Sequence, residues 1–228
     1  MRRVAIIAAM PGELHPLVRG WRQERRAGVA IWRHVSGDNE WLAACAGAGQ
    51  KAATRAVAAL EQIGPLHAAF SMGWVGALDA KYAPGAAYEV AGVIDAQTGE
   101  RFSSAASNAR AENPWLVTSS TVADAAEKQR LAASYGAGLV DMEAAAVARL
   151  ALMRGIPFHA VKGVSDGVND TLPDFNRFIS PNGVFHTGRL ILFVLPRPWL
   201  WPALIRMGEN SKCASLRMAE LLQNLLCA

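Results

Sequence analysis

Residues 138–170, GLVDMEAAAVARLALMRGIPFHAVKGVSDGVND, set four carboxylates at the edges of an apolar stretch: Asp141, Glu143, Asp166 and Asp170. A fifth, Glu13, follows the first apolar run of the chain, just past Pro11 and Gly12. Acids so placed have two uses. They cap helices, close Asx turns and favour helix dipoles, or they face a substrate, where a carboxylate takes or gives a proton or holds a hydroxyl. Capping suffices for each one alone: Glu13 and Glu143 as first-turn helix acids, Asp166 as an N-cap before Gly167. Their joint position is more telling, because each stands at the end of an apolar strand, where α/β sheets gather functional groups.

The strands that must position them read as buried runs at 4–9, 67–72 and 158–164, apolar on both faces as in a parallel sheet. A strand pair is expected at 29–36 and 40–46 around the turn Gly37-Asp38-Asn39. A hairpin is expected at 86–95 and 100–104, and short strands at 116–119 and 138–140. Residues 47–65 read as a Gly-rich loop, a helix and a Gly-Pro stop. Residues 143–154 read as an Ala-rich helix closed by Gly155 and Pro157. A helix-like segment follows Glu13. The alternation predicts an α/β fold: one domain over residues 1–228, with a central, mixed, mostly parallel twisted sheet flanked by helices. Residues 190–228 read as an apolar C-terminal extension packing on it. Within that extension, 211–226 is an amphipathic helix and 190–205 is unusually apolar, with Trp199, Trp201 and prolines 196, 198 and 202. That middle piece covers the core or a subunit partner, or offers an interfacial surface to a membrane or a lipid-like substrate.

Composition narrows the classes. Apolar residues make up 52% and charged residues 18% of 228, which excludes a disordered chain. The net charge of +4 is mild, and its arginines gather only at 19–26 and 189–217, without the dense basic stripe of a nucleic-acid binder. Cys45, Cys213 and Cys227 fit neither a CxxC nor a zinc spacing and read as thiols of a reducing compartment. No apolar run reaches the length of a membrane span, and the N-terminal MRRVAIIAAM reads as a first strand rather than a signal segment. GAGQKAAT is neither a dinucleotide fingerprint nor a P-loop.

Several stretches resemble 5′-methylthioadenosine/S-adenosylhomocysteine nucleosidases of the purine nucleoside phosphorylase/nucleosidase superfamily. AIIAAMPGEL, VDMEAAAVARLA and VKGVSDGVND are similar to their IIGAMxxE, VEMEAxAIAxVA and VRAISDxAD segments, in the same order. SMGWVGAL falls where they carry a TGSAGGL-type loop, so the likeness spans residues 4–170. The resemblance implies cleavage of a purine N-ribosidic bond. Asp166 would protonate the leaving base, oriented by Ser165. Glu143 would accept hydrogen bonds from the ribose hydroxyls, and Met142 would line the sugar. Glu13 would take a proton from the attacking water, and Gly73 and Trp74 would be among the residues that bind the substrate. The base is expected near residues 120–122. No metal or organic cofactor is implied, and phosphate is the alternative nucleophile.

This chain departs from that pattern at Trp74, where the family has a small serine, at Asp141 for glutamate and at Lys162 for arginine. Phe70-Ser71-Met72 lacks the arginine with which phosphorylases hold phosphate, although a loop such as 47–49 could hold an anion through its N–H groups. VIDAQTGERF, ADAAEKQRLAASYGAGLVDMEAAAVA and PALIRMGENSKCAS are similar to a second branch, the hopanoid-associated phosphorylases. That branch implies removal of adenine from an adenosyl-hopanoid lipid, which would give 190–205 a purpose. The expectation is therefore a cytoplasmic or membrane-peripheral homo-oligomer, a dimer by preference. It would act on a small nucleoside, by water, or alternatively by phosphate. A non-catalytic nucleoside-binding protein is the rival from another class. Asp141 reads as structural and Asp170 as a solvated turn acid.

Overall fold

Strand β1 (Arg2–Ala8) has apolar side chains on both faces, and both faces are buried, with Ile6 and Ile7 almost fully enclosed. Two helical layers are therefore required, and the chain supplies them. The computed structural model describes residues 1–105 and 112–227, with side chains through Leu225. After β1 come α1 (Pro11–Leu14), β2 (Arg22–Arg26), β3 (Val29–Ser36), β4 (Asn39–Cys45), α2 (Gln50–Glu61) and β5 (Ala68–Ala77). Then follow β6 (Ala87–Glu89), β7 (Gly92–Asp95), β8 (Arg101–Ser103), β9 (Trp115–Thr118) and α3 (Ala125–Tyr135). The chain closes with β10 (Leu139–Asp141), α4 (Ala144–Met153), β11 (Phe158–Asp166), α5 (Thr187–Val194) and α6 (Trp201–Cys227). Ala5 and Ile7 of β1 join one core with α2 and α4, while Val4, Ile6 and Ala8 join a second with Leu14, Met218 and Leu222. That alternation is the period of two of a strand.

All the described strands belong to one mixed sheet, ordered β2-β3-β4-β1-β5-β10-β9-β7-β8, with β11 and β6 branching at β5. Its centre is parallel: β4, β1, β5 and β11 run the same way. β5 is the hub, pairing with β1 over 68–71, with β11 over 69–76 and with β10 at Gly76 and Ala77. The first site loop of the sequence reading is thus not a loop. Residues 73–76 stay in the ladder to β11, so the strand expected at 67–72 continues to Ala77.

Other differences have local causes. The arginine-rich 22–26 is β2, an edge strand whose charges suit an unpaired edge. The stretch expected as one strand at 86–95 splits, because β6 pairs with β11 while β7 makes the hairpin with β8. The helix after Glu13 is only one turn, although Leu14, Leu17 and Val18 remain buried. The reading of the residues gave no element at α3. The helix is closed at one end by the Asp124 side chain, which accepts from Glu127 N, and at the other by left-handed Gly136.

α6 is longer than the helix expected from 211, starting at Trp201 with Pro202 tolerated in its first turn. Residues 211–222 cover β11, where Gly163 admits Ala214 so closely that an added Cβ would lie 2.8 Å from the alanine methyl. The first turns of α6, α5 and the residues between them leave apolar side chains outside, among them Ile191, Leu192, Leu195, Trp199 and Ile205. Among the described residues no single helix is long and apolar enough to cross a membrane. α5 and α6 pass together by length and composition, bent by 115° at their break. Cys45 is buried and Cys213 partly so, while the Cys227 thiol lies outside the described residues.

Candidate active site

Three predicted carboxylates line one cavity of 1620 Å³ at the C-terminal end of the parallel strands. The first is Glu13. β1 ends at Ala8, and the turn into α1 folds the side chain back under the strand end. Its Oε2 accepts from the N–H groups of Ala9 and Met10, both at 2.8 Å, and its Oε1 accepts from Trp74 N at 2.9 Å. A carboxylate offers about four acceptor positions. Three are taken by backbone, and the one remaining, on Oε1, is what a water could use. Burial pushes the Glu13 carboxyl above its ordinary range, against the pull of those N–H donors and of Lys162.

Gly73 and Trp74 both shape this corner, by different means. A Cβ on Gly73 would stand 3.1 Å from Glu13 Oε1, so the glycine gives the carboxylate its place without lining the cavity itself. Trp74 holds Glu13 through its backbone, and its indole Nε1 donates to Ser211 O and Ser215 Oγ on α6, at 3.0 and 2.9 Å. The indole lies against Gly12, where an added Cβ would be 2.8 Å from the ring. Tryptophan at this position therefore links the Glu13 corner of the cavity to α6.

Glu143 sits between β10 and α4. Its Oε1 accepts from Gly49 N at 2.5 Å, and Met142, also on the cavity wall, donates from its N–H at 3.3 Å. Burial first, then the neighbouring Asp141 charge, pushes the Glu143 carboxyl up to about 8. The folded chain thus holds this proton at pH values where an unfolded chain, with glutamate near 4.5, has lost it. Its contribution to stability therefore declines as pH rises across that interval. In thermal unfolding without ligand, Glu143→Gln should flatten the fall in Tm between pH 5 and 8. An unchanged slope would show that Glu143 is already ionised there.

Asp141 is structural, as the sequence reading had it. It is buried, bonded to Thr118 Oγ1 and to Ala144 N at the start of α4, and paired with Lys162 Nζ at 2.8 Å. Lys162 also reaches Ser71 Oγ at 2.9 Å and is 1% exposed. The residue that stands for an arginine thus neutralises Asp141 from beneath the sheet and does not line the cavity.

The third acid, Asp166, ends β11. Ser165 Oγ lies 2.6 Å from Asp166 Oδ1 and 3.2 Å from Val75 O, so its single hydroxyl proton goes to the carboxylate. The other oxygen, Oδ2, is in a salt bridge with Lys128 Nζ, which also donates to Gly167 O at 2.6 Å. Asp170 closes the following turn by accepting from Gly167 N at 2.7 Å, and it is half-buried at the cavity wall rather than freely solvated.

Lys128 was missed. It stands in the charged run EKQR, three residues before buried Leu131 and so on the inner face of α3. That spacing was the available signal. Asn176 was missed too, in the 3-10 turn Phe175–Phe178. Its side-chain amide pairs with both backbone groups of Val122: Val122 N donates to Oδ1 at 2.8 Å and Nδ2 donates to Val122 O at 3.0 Å. This is at the wall where the base was expected.

The 47–49 loop is committed elsewhere. Gly47 N donates to Ala9 O, Ala48 N to Gly183 O and Gly49 N to Glu143. Gly47 and Gly183 meet backbone to backbone, both at positive φ, and a Cβ on Gly47 would fall 2.4 Å from Gly183 O. Arg55, on α2, is bonded to Ala46 O and Asn182 O. Among the described residues no cluster of His, Cys, Asp and Glu could hold a metal ion.

Comparison with known proteins agrees with this architecture. Residues 110–182 match the profile of the phosphorylase superfamily, a segment that holds Met142, Glu143, Ser165 and Asp166 but not Glu13. No curated protein matches the sequence. Futalosine hydrolase of Helicobacter pylori superposes with a TM-score of 0.74 at 14% identity, covering 99% of this chain and 97% of that one. The 5′-methylthioadenosine nucleosidase of Arabidopsis thaliana gives 0.76 at 17%, covering 100% and 95%. S-adenosylhomocysteine nucleosidase of Streptococcus pyogenes gives 0.73 at 18%, covering 99% and 96%. The fold is shared with these three structures, and residues 110–182 match the phosphorylase superfamily profile.

Proposed function

We propose that the protein hydrolyses the N-ribosidic bond of a purine nucleoside, adenine being the favoured base. The observation that carries the reading is that one cavity holds both Glu13, with one acceptor position open on Oε1, and Asp166, hydrogen-bonded by Ser165. As the C–N bond breaks, positive charge grows on the ribosyl ring and negative charge on the base. Asp166 delivers a proton to the departing base, and Glu13 removes one from the water that attacks the sugar carbon. One acid and one base on opposite sides of a glycosidic bond is the logic of glycoside hydrolysis. Glu143 takes the ribose hydroxyls and Met142 packs on the sugar. The base lies toward Val122, where a purine edge that both donates and accepts would replace the amide of Asn176.

Water is favoured over phosphate because the N–H groups of 47–49 and the Arg55 guanidinium already have partners. The deciding assay is base release from 5′-methylthioadenosine, S-adenosylhomocysteine and adenosine, each with and without phosphate. Equal release in both conditions is expected. Release that requires phosphate would replace hydrolysis by phosphorolysis, and tight nucleoside binding without release would make the protein a binder.

A second reading concerns the size of the substrate. Ligand pockets run to about 300–1,000 Å³, and this cavity is larger, extending from the acids to Leu190, Ile191, Val194, Trp201 and Leu204. Such a wall suits a nucleoside with a long apolar 5′-substituent, such as an adenosyl-hopanoid lipid. The exposed apolar face of α5 suits collection of that substrate from a membrane surface. On this reading a 5′-alkylthioadenosine with a long chain is cleaved with a lower KM than 5′-methylthioadenosine.

A further inference from the structure

We propose that Lys128 is the positioning residue that supplies, through Asp166, the proton taken by the departing base. The proposal rests on the nucleosidase reading above and adds a component to it. Lys128 is 3% exposed, although its helix lies at the surface and its neighbours Glu127 and Arg130 pair with each other outside. Its ammonium meets Asp166 Oδ2 and Gly167 O. Gly76 makes the room, since a Cβ there would stand 3.0 Å from Lys128 Cε and 3.2 Å from Asp166 Oδ2. β5, α3 and β11 thus converge on one buried ion pair at the cavity wall. A buried pair of this kind gives little net stability, so fold stability alone is a poor account of its presence.

The ion pair also states the difficulty it resolves. A carboxylate facing an ammonium is a poor proton donor while the pair is intact. The balanced step moves one proton twice. Lys128 first gives it to Asp166, and as the C–N bond breaks and its electrons pass to the base, Asp166 gives that proton to the base nitrogen. The base leaves neutral, Asp166 is again a carboxylate, and Lys128 is left as an amine. The proton that Glu13 took from water returns to solvent, and solvent recharges Lys128. The titratable and charged groups that line the same cavity are Asp124 at the N-cap of α3, Asp170 and Asp174 after β11, His15 and Arg19 after α1, and Lys212 on α6. Glu13 and Glu143 line it too, with Asp141 tied to Lys162.

The test compares wild type, Lys128→Arg and Lys128→Met in kcat over a wide pH range, on whichever nucleoside the wild type cleaves. Arginine keeps the charge and the pairing but does not release its proton. Lysines give up protons near pH 10 and lone carboxyls near pH 4. The expected result is that Lys128→Arg loses on the order of 10²-fold in kcat, with KM within a few-fold. In both variants the alkaline limb should move to lower pH, because Asp166 must then draw its proton from solvent. Adenine affinity close to that of the wild type shows that the site has folded. If Lys128→Arg does not fold, the limb of Lys128→Met decides. A rate lowered equally at every pH, or an unchanged alkaline limb, overturns the proposal and leaves Lys128 a structural cation. A wild type that releases no base from any nucleoside overturns the nucleosidase reading itself, a different outcome from an active wild type with indifferent variants.

Discussion

Replacing Asp166 with asparagine should lower base release by a factor on the order of 10²–10⁴, the usual contribution of a positioned general acid. An amide at this position carries no proton that the departing base can take, and its one oxygen can serve Lys128 or Ser165 but not both. The structure adds a second consequence. Lys128 would be left with Gly167 O and an amide oxygen in a buried site. Removing one partner of a buried ion pair costs about 3–5 kcal/mol, and asparagine, as a remaining acceptor, offsets part of this. The variant should therefore melt several degrees lower, and Lys128→Met in the same chain should restore much of the loss while activity stays low. Recovery of heat stability without recovery of turnover separates the ion pair from the chemistry. An Asp166→Asn enzyme releasing base at the normal rate would remove Asp166 from the mechanism.

Glu13→Gln should be comparably severe, at 10² or more in kcat, for a reason visible in its three hydrogen bonds. The carboxylate accepts from Ala9, Met10 and Trp74. A carboxamide has one oxygen and one NH2 group, so one of its ends must point hydrogens at backbone hydrogens. With the oxygen toward Ala9 and Met10, the amide nitrogen confronts Trp74 N, and the position left for water becomes a donor. The water then loses its base and its orientation together. For the wild type, Glu13 must be ionised to work, and burial raises its carboxyl. The acid limb of kcat/KM should therefore lie above the usual carboxylate range, with activity lost as pH falls through it. A Glu13→Gln enzyme with normal kcat, or an acid limb near pH 4, would require another base.

The parts of this molecule legible in its sequence are those set by local signals. Buried strands announced β1, β4 and β11, Gly155 and Pro157 closed α4, and the acids at the strand ends are the ones that meet in the cavity. What stayed hidden depends on partners far along the chain. β5 runs through its glycines because β11, more than 85 residues later, pairs with them. The arginines of β2 showed no strand pattern because this edge strand has no apolar face. Lys128 was passed over because its spacing to Leu131 marks the inner face of a helix but not the carboxylate that awaits it. The resemblance to nucleosidases named Glu13, Glu143 and Asp166, but not the cation behind the third of them.

One strand also sets the spacing of the two acids to which the proposed reaction is assigned. Gly73 gives Glu13 its place and Gly76 gives Asp166 its place, three residues further along β5. At about 3.3 Å per residue the two seats are about 10 Å apart. On the proposed mechanism that span would hold a chain of contacts from one carboxyl through water, the sugar carbon and the base to the other carboxyl, and the strand would serve as its gauge. Inserting or deleting one residue between 73 and 76 would change that length by about 3.3 Å and turn one glycine to the opposite face. Every reacting group would still be present in such a chain, and none would be in reach.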